Sequence, residues 1–200
     1  MADISAAMVE ELRERTGAGM MECKNALNEA NGDMEKAIDL LRARGAAKAA
    51  KRSERDVKEG AVGSYVHMGG KIGVLVEVGC ETDFVSRNEG FQQLVRDVAM
   101  HIAAANPLAL SPEGIPADVV ERERAVYVET VKNEGKPEKM WDKIVEGKLG
   151  KFYKESTLMD QIFVKDPEGK KTVGELITEA ASKTGEKIVV RRFVRYALGE

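Results

Sequence analysis

The sequence predicts an α+β fold: a three-helix bundle, then an α+β core with a small antiparallel sheet and a helical hairpin. Three observations predict it. Apolar residues recur at helical spacing in three short segments before residue 45. The period then switches to two on both sides of Gly69-Gly70, and a β-branched and aromatic run closes the chain from Lys187 to Leu198. Strands at the two ends of the second part, with helices between them, make an α+β architecture with an antiparallel sheet.

In the first segment Ile4, Met8 and Leu12 lie on one helical face, with Asp3 or Ser5 as the cap, and Gly17-Ala18-Gly19 breaks the helix. The second segment places Met20, Cys23, Leu27 and Ala30 on one face and stops at Asn31-Gly32. The third starts at Asp33, a good N-cap. It carries Met34, Ala37, Ile38 and Leu41, and is expected to close before Gly45. Residues 1–45 are therefore expected to form a bundle domain. Residues 46–60 are rich in charge and alanine and nearly free of large apolar side chains, so they read as a charged linker, helical in part. The basic group Lys48, Lys51, Arg52 and Arg55 reads as solvated.

From residue 61 to 200 the core is expected. Val62, Ser64, Val66 and Met68 alternate, as do Ile72, Val74, Val76 and Val78, and Gly69-Gly70 joins them as a hairpin. Phe91, Val95, Val98 and Ile102 mark a helix, with Ser86 and Glu89 spaced as a capping box at its start. Asn106 to Pro116 reads as a loop. Helices over about 117–133 and 138–155 flank Gly135-Lys136-Pro137 and should pack as an antiparallel hairpin, with Trp141, Ile144, Val145, Leu149 and Phe152 on one side. Asp166-Pro167-Glu168-Gly169 is a turn, Val173 to Ser182 a short helix, and Lys187 to Leu198 the last strand.

Composition excludes several classes of function. The 31 Lys+Arg nearly cancel the 34 Asp+Glu, and a formal net charge of −3 argues against direct nucleic-acid binding or attachment to an anionic membrane. No apolar run has the roughly 20 residues a span needs. The acidic, helix-like N-terminus is unlike an export or transit signal, so a cytoplasmic location is expected. Cys23 and Cys80, far apart, read as two reduced, buried thiols, and with only His67 and His101 no zinc cluster is expected. No phosphate-binding loop, nucleophile elbow or acid–base pair is recognisable, so no catalytic residue, metal ligand or cofactor is assigned and an enzyme is not expected. Thr82-Asp83-Phe84-Val85 stands out, falling between a strand and a capped helix where a connection normally lies on the surface. There Phe84 either tucks under the helix or stands out as an exposed aromatic anchor.

Two long segments carry a family resemblance. LRERTGAGMMECKNALNEANGDMEKAIDLLRARG, Leu12 to Gly45, and GVLVEVGCETDFVSRNEGFQ, Gly73 to Gln92, resemble the two signatures of the elongation factor Ts family. His67 in GSYVHMGGKIGVLVEV and Gly185 in KTGEKIVVRRF also fall where the family pattern expects them, and the resemblance covers essentially the whole chain. It implies a bundle of ubiquitin-associated type and a guanine-nucleotide exchange factor whose partner is elongation factor Tu bound to GDP. Asp83 and Phe84, with Thr82 and Val85 beside them, would act near the partner's Mg²⁺ and phosphates. Arg13, Met20, Met21 and Lys24 match contact positions of the N-terminal domain, although helical spacing equally allows Met20 in the core. The length resembles the short form with one core module, which by analogy with longer members implies a homodimer giving a two-plus-two complex. Two rival readings stand beside this one. One is a peptide-binding adaptor resting on the bundle alone, and the other an RNA-associated factor using Lys48 to Arg55.

Overall fold

The computed structural model describes residues 4–67 and 69–200. The α+β expectation is borne out: eight α-helices and one three-stranded antiparallel sheet occur among the described residues. The chain forms two compact units. One runs to Tyr65 and includes Leu75–Ala99 and Glu175–Val194; the other comprises Val66–Val74, Met100–Gly174 and Arg195–Glu200.

In the first unit α1 (Ala6–Thr16), α2 (Met20–Glu29) and α3 (Met34–Lys51) form the bundle. Of the two proposed caps for α1, Ser5 serves, its hydroxyl accepting from the Met8 N–H at 3.3 Å, while Asp3 lies outside the described residues. Gly17 ends α1 in the left-handed conformation with φ 68°, and its N–H reaches Arg13 O. Asn31 and Gly32, both at positive φ, end α2, and the Asp33 carboxylate then caps α3 by accepting from the Lys36 N–H at 3.1 Å. Leu12, Cys23, Ala26, Leu27, Ala30, Ala37 and Leu41 make the bundle's core. Each fully buried leucine contributes about 2 kcal/mol of hydrophobic stabilisation.

The expected stop before Gly45 is corrected, because α3 continues through it to Lys51. Ala46, Ala47 and Ala50 are strong helix formers, and Arg44 and Lys48 pair with Glu29 and Glu22 on α2, so the extension is held from the bundle side. Gly45 also comes close to α8 (Val173–Thr184), since a Cβ there would lie 3.1 Å from Ser182 Oγ.

Strands β1 (Glu59–Val66) and β2 (Ile72–Cys80) form the hairpin, with the His67 N–H donating to Ile72 O at 2.9 Å and Gly69 and Gly70 at positive φ. Met68 lies outside the described residues. β3 (Val189–Ala197) is the second neighbour of β2. The Leu198 N–H donates to Lys71 O at 2.8 Å. Together with the His67–Ile72 bond it gives a register in which Leu75 faces Ser64 and Val194, and Glu77 faces Val62 and Arg192; a Glu77–Arg192 pair at 2.7 Å agrees. β2 buries Val74, Val76 and Val78, whereas the alternating valines of β1 point outward, Val62 being 69% exposed. Their inward neighbours are Ala61, Gly63 and Tyr65. Gly63 is the point of closest approach to α5 (Glu89–Ala105), which buries Phe91, Val95, Val98 and Ile102 as its spacing predicted.

The second unit contains the helical hairpin. α6 (Ala117–Asn133) and α7 (Trp141–Ser156) pack around Val131, Val145 and Leu149. Ion pairs Arg124–Glu146 at 2.6 Å and Lys148–Glu134 at 3.8 Å tie α7 to α6 and to the residue that caps its end. His101 lies fully buried in this unit between Gln161, Phe163 and Val164.

Candidate functional site

β2 ends at Cys80, and two residues later the chain makes a single helical turn, α4 (Asp83–Ser86), before α5. Thr82, extended at φ −127° and ψ 159°, starts the turn, and its carbonyl accepts from the Ser86 N–H at 3.2 Å. The Ser86 hydroxyl donates to Asp83 O at 3.0 Å, and the Gln92 amide donates to Ser86 O at 2.6 Å. Ser86 is thus occupied inside α4, and the expected Ser86/Glu89 capping box does not form. Asn88 caps α5 instead, its side-chain oxygen accepting from the Gly90 N–H at 2.8 Å.

Of the two readings of Phe84, the one that tucks the ring under the helix is corrected, because the ring is 84% exposed. Thr82 is also exposed, while Asp83 and Val85 are half-buried. Asp83 forms an exposed i,i+4 pair with Arg87 at 3.2 Å, an interaction of small energetic weight.

The front of the turn is held by the chain around Gly185. Gly185, exposed and at φ 77°, ends α8 with its N–H on Ala181 O at 3.0 Å. A Cβ there would meet nothing within 4 Å, so the glycine is needed for its backbone conformation and leaves open space around it. The next residue, Glu186, reaches the Thr82 segment through three hydrogen bonds. Glu81 answers by accepting from the Lys187 N–H at 2.5 Å and from Arg55 at 3.1 Å. The Lys187 N–H, and after it the Arg55 guanidinium, hold the Glu81 carboxyl below its usual value. Cys80 sits behind this cluster. Burial, reinforced by the carboxylates of Glu186 and Glu59, pushes its thiol up to about 11.

The positions proposed in the bundle gather where α1 passes into α2. Arg13 lies in the last turn of α1; Met20, Met21 and Lys24 lie in the first turns of α2, and all four are exposed. Met20 is 60% and Met21 67% exposed. The core placement that helical spacing allowed for Met20 is therefore corrected. Ala18 packs on the bundle core, and Cys23 points its thiol at the Ala18 carbonyl, 3.7 Å away, which closes the core below the first turn of α2. His67, in the second compact unit, is exposed and opens the hairpin turn, its carbonyl accepting from the Gly70 N–H at 2.9 Å.

Residue types alone did not reveal Glu81, Glu186, Lys187 and Arg55 as the supports of the turn, because their pairing depends on tertiary proximity across 26 residues for Arg55–Glu81 and more than a hundred for the contacts of Glu186 and Lys187. No group of three or more His, Cys, Asp or Glu among the described residues could hold a metal ion, and no described helix is long and apolar enough to cross a membrane.

Comparison with known proteins gives one consistent result. The family model described as Elongation factor TS matches residues 2–200. The chain belongs to the elongation factor Ts family. Elongation factor Ts of Desulfosudis oleivorans is 57% identical over 200 residues, covering 100% of both chains. That of Syntrophobacter fumaroxidans is 53% identical over 197 residues, covering 98% of each chain. That of Geobacter sulfurreducens is 56% identical over 197 residues, covering 98% of this chain and 90% of the relative. Family membership carries a nucleotide-exchange role in translation elongation. The match extends over the whole chain, well beyond the bundle on which the adaptor reading rests.

Proposed function

We propose that the chain is the guanine-nucleotide exchange factor of elongation factor Tu, that it binds the GDP complex, and that its Asp83-Phe84 turn disturbs the partner's Mg²⁺ and phosphate site. The observation that carries this reading is Phe84. A large aromatic ring stands 84% exposed on a one-turn helix tethered at both ends. Rigid, exposed aromatic side chains are the type of residue that anchors protein interfaces. On this reading Arg13, Met20, Met21 and Lys24 form a second contact surface on the bundle, where flexible methionines adapt to a partner, and Gly185 and His67 contribute further contacts.

The mechanism is thermodynamic coupling. Mg²⁺ and backbone amides of a GTPase hold the phosphates of GDP tightly. A factor that binds best to the metal-free, nucleotide-free conformation must weaken GDP by the same factor by which GDP weakens it. Such a protein needs no nucleotide pocket, cofactor, metal or catalytic acid and base, so it acts by binding rather than as an enzyme. It works where translation does, in the cytoplasm, without direct nucleic-acid or membrane contact. The division of labour follows the chain: the bundle, whose third helix runs on through Gly45 to Lys51, docks, the charged residues between that helix and β1 connect, and the remainder carries the exchange turn.

One observation favours self-association as well. The outward face of the sheet shows Val62, Leu75 and Val194, at 69%, 49% and 36% exposure. A second copy covering this face would give the two-plus-two complex, and sedimentation alone and with the partner tests it; a strict monomer in both removes it. The exchange role itself is tested by release of a fluorescent GDP analogue from elongation factor Tu, which the chain should accelerate. No acceleration at saturating concentration would end the proposal.

A further inference from the structure

The residue that governs the geometry of the exposed turn is one to which the sequence motifs assigned nothing. Three hydrogen bonds converge on the Glu186 carboxylate. One oxygen accepts from the backbone N–H groups of Glu81 and Thr82, at 3.0 and 3.1 Å, and the other from the Thr82 hydroxyl at 2.5 Å. A threonine before a helix ordinarily caps it by accepting from an N–H two or three residues on. Thr82 makes no such bond, because its hydroxyl is turned away towards Glu186. The beginning of α4 is therefore held from outside the helix. A single turn is far below the length at which a helix sustains itself, so its direction has to be imposed by its neighbours. Ser86, Asn88 and Gln92 impose it at the back, and Glu186 imposes it at the front. Gly185 makes this reach feasible, since its positive φ turns the chain at the end of α8. The reciprocal bond from the Lys187 N–H to Glu81 closes the clamp.

We propose that Glu186 is a positioning residue for nucleotide exchange, its carboxylate fixing the direction in which Asp83 and Phe84 leave the end of the sheet. The proposal rests on the reading of Asp83-Phe84 as the exchange element. Without the carboxylate, the front of the turn frays and the ring samples many directions, so ordering it on the partner carries an entropic cost that the native protein avoids. Glu186 acts through Phe84 and needs no contact with the partner.

The test measures release of a fluorescent GDP analogue from elongation factor Tu with the full-length chain. Glu186→Ala should slow stimulated release about tenfold, a coupling of the size seen between residues in direct contact. It should also speed amide hydrogen exchange at Glu81 to Ser86 without affecting the buried part of α5. Glu186→Gln should restore most of the rate, since its amide oxygen still accepts the two backbone N–H groups and its NH₂ can donate to Thr82. The double variant Glu186→Ala/Phe84→Ala should be no slower than Phe84→Ala alone. Thr82→Val, which removes one of the three bonds and leaves the carboxylate in place, should slow release a few-fold and serves should Glu186→Ala fold poorly. Normal release by Glu186→Ala and Thr82→Val, beside a slow Phe84→Ala, overturns the positioning role and spares the exchange reading. Multiplying defects in the double variant overturn it too, because Glu186 would then act independently of the ring. Normal release by Phe84→Ala overturns the exchange reading and this inference with it.

Discussion

Gly63 and Val95 meet where β1 crosses α5, so closely that a Cβ on Gly63 would overlap Val95 Cγ1. Val95 is buried and cannot swing into solvent. Gly63→Ala should therefore destabilise the fold by about 1–3 kcal/mol, the usual consequence of overpacking a filled core. Val95→Ala in the same chain should recover part of the loss, because it vacates the volume the new methyl needs. Urea denaturation of the two single variants and the double variant measures both effects. A Gly63→Ala protein as stable as the parent would show that strand and helix separate freely.

The buried His101 makes stability depend on pH. Its Nε2 bonds Gln161 Oε1 at 3.0 Å, and its Nδ1 accepts from the Val164 N–H at 3.3 Å. The Gln161 amide nitrogen is itself engaged with Glu155 O at 2.7 Å, so its oxygen faces the ring and Nε2 is the nitrogen that carries the proton. Burial pulls the imidazole below its usual value, and the Gln161 bond opposes this only in part. The unfolded chain then binds a proton more readily than the native one. Stability from this group is therefore undiminished above the unfolded value of about 6.5 and falls as pH drops through it towards the lower folded value. Melting temperatures taken from about pH 8 down to 5 should decline for the parent and decline less for His101→Gln, which cannot titrate. Equal slopes for the two would rule the histidine out as the source.

Both cysteines should be inert in the native protein. Cys23 and Cys80 are free and buried, and burial raises both thiols, Cys80 to about 11. The thiolate is the reactive form, so at pH 8 a thiol reagent should label neither until denaturant is added, and then two per chain. Rapid labelling of Cys80 in the native state would show that the segment between β2 and α4 opens readily.

Much of this architecture was legible because it is written in local patterns. The three bundle helices, the hairpin turn at Gly69-Gly70, the apolar stripe of α5 and the α6–α7 pair follow from periodicity and turn chemistry. What was not legible depends on tertiary contacts. Gly45 is a helix stop by propensity, yet α3 passes through it, supported by alanines and by pairs to Glu22 and Glu29. Ser86 has the spacing of a capping box, yet Gln92 and the Asp83 carbonyl claim it and Asn88 takes the cap. Met20 has core spacing, yet Ala18 closes the core beside Cys23. The motif at residues 82–85 marked the candidate site, but the Glu81–Glu186 clamp at its front joins positions 105 residues apart, a pairing no local pattern encodes.

The most discriminating prediction concerns Phe84 and Asp83 together. The Phe84 ring is 84% exposed, and the Asp83–Arg87 pair is exposed on the same turn. Neither side chain adds much to the core, so Phe84→Ala and Asp83→Ala should each melt within a few degrees of the parent, the usual result of a surface change. If the turn reaches the partner's metal site, Phe84→Ala should lose about 2 kcal/mol of interaction, the scale of an aromatic interface anchor. That corresponds to GDP release from elongation factor Tu slowed about thirtyfold. Asp83→Ala should slow release by a different route, through lost charge, so its defect should vary with ionic strength more than that of Phe84→Ala. Excess Mg²⁺ should deepen both defects, because the metal and the turn compete for the same conformation of the partner. Stopped-flow release of a fluorescent GDP analogue, paired with thermal melts, measures all of these. A Phe84→Ala protein that melted far below the parent yet exchanged normally per folded molecule would assign the ring to stability, and the turn would lose its role in exchange.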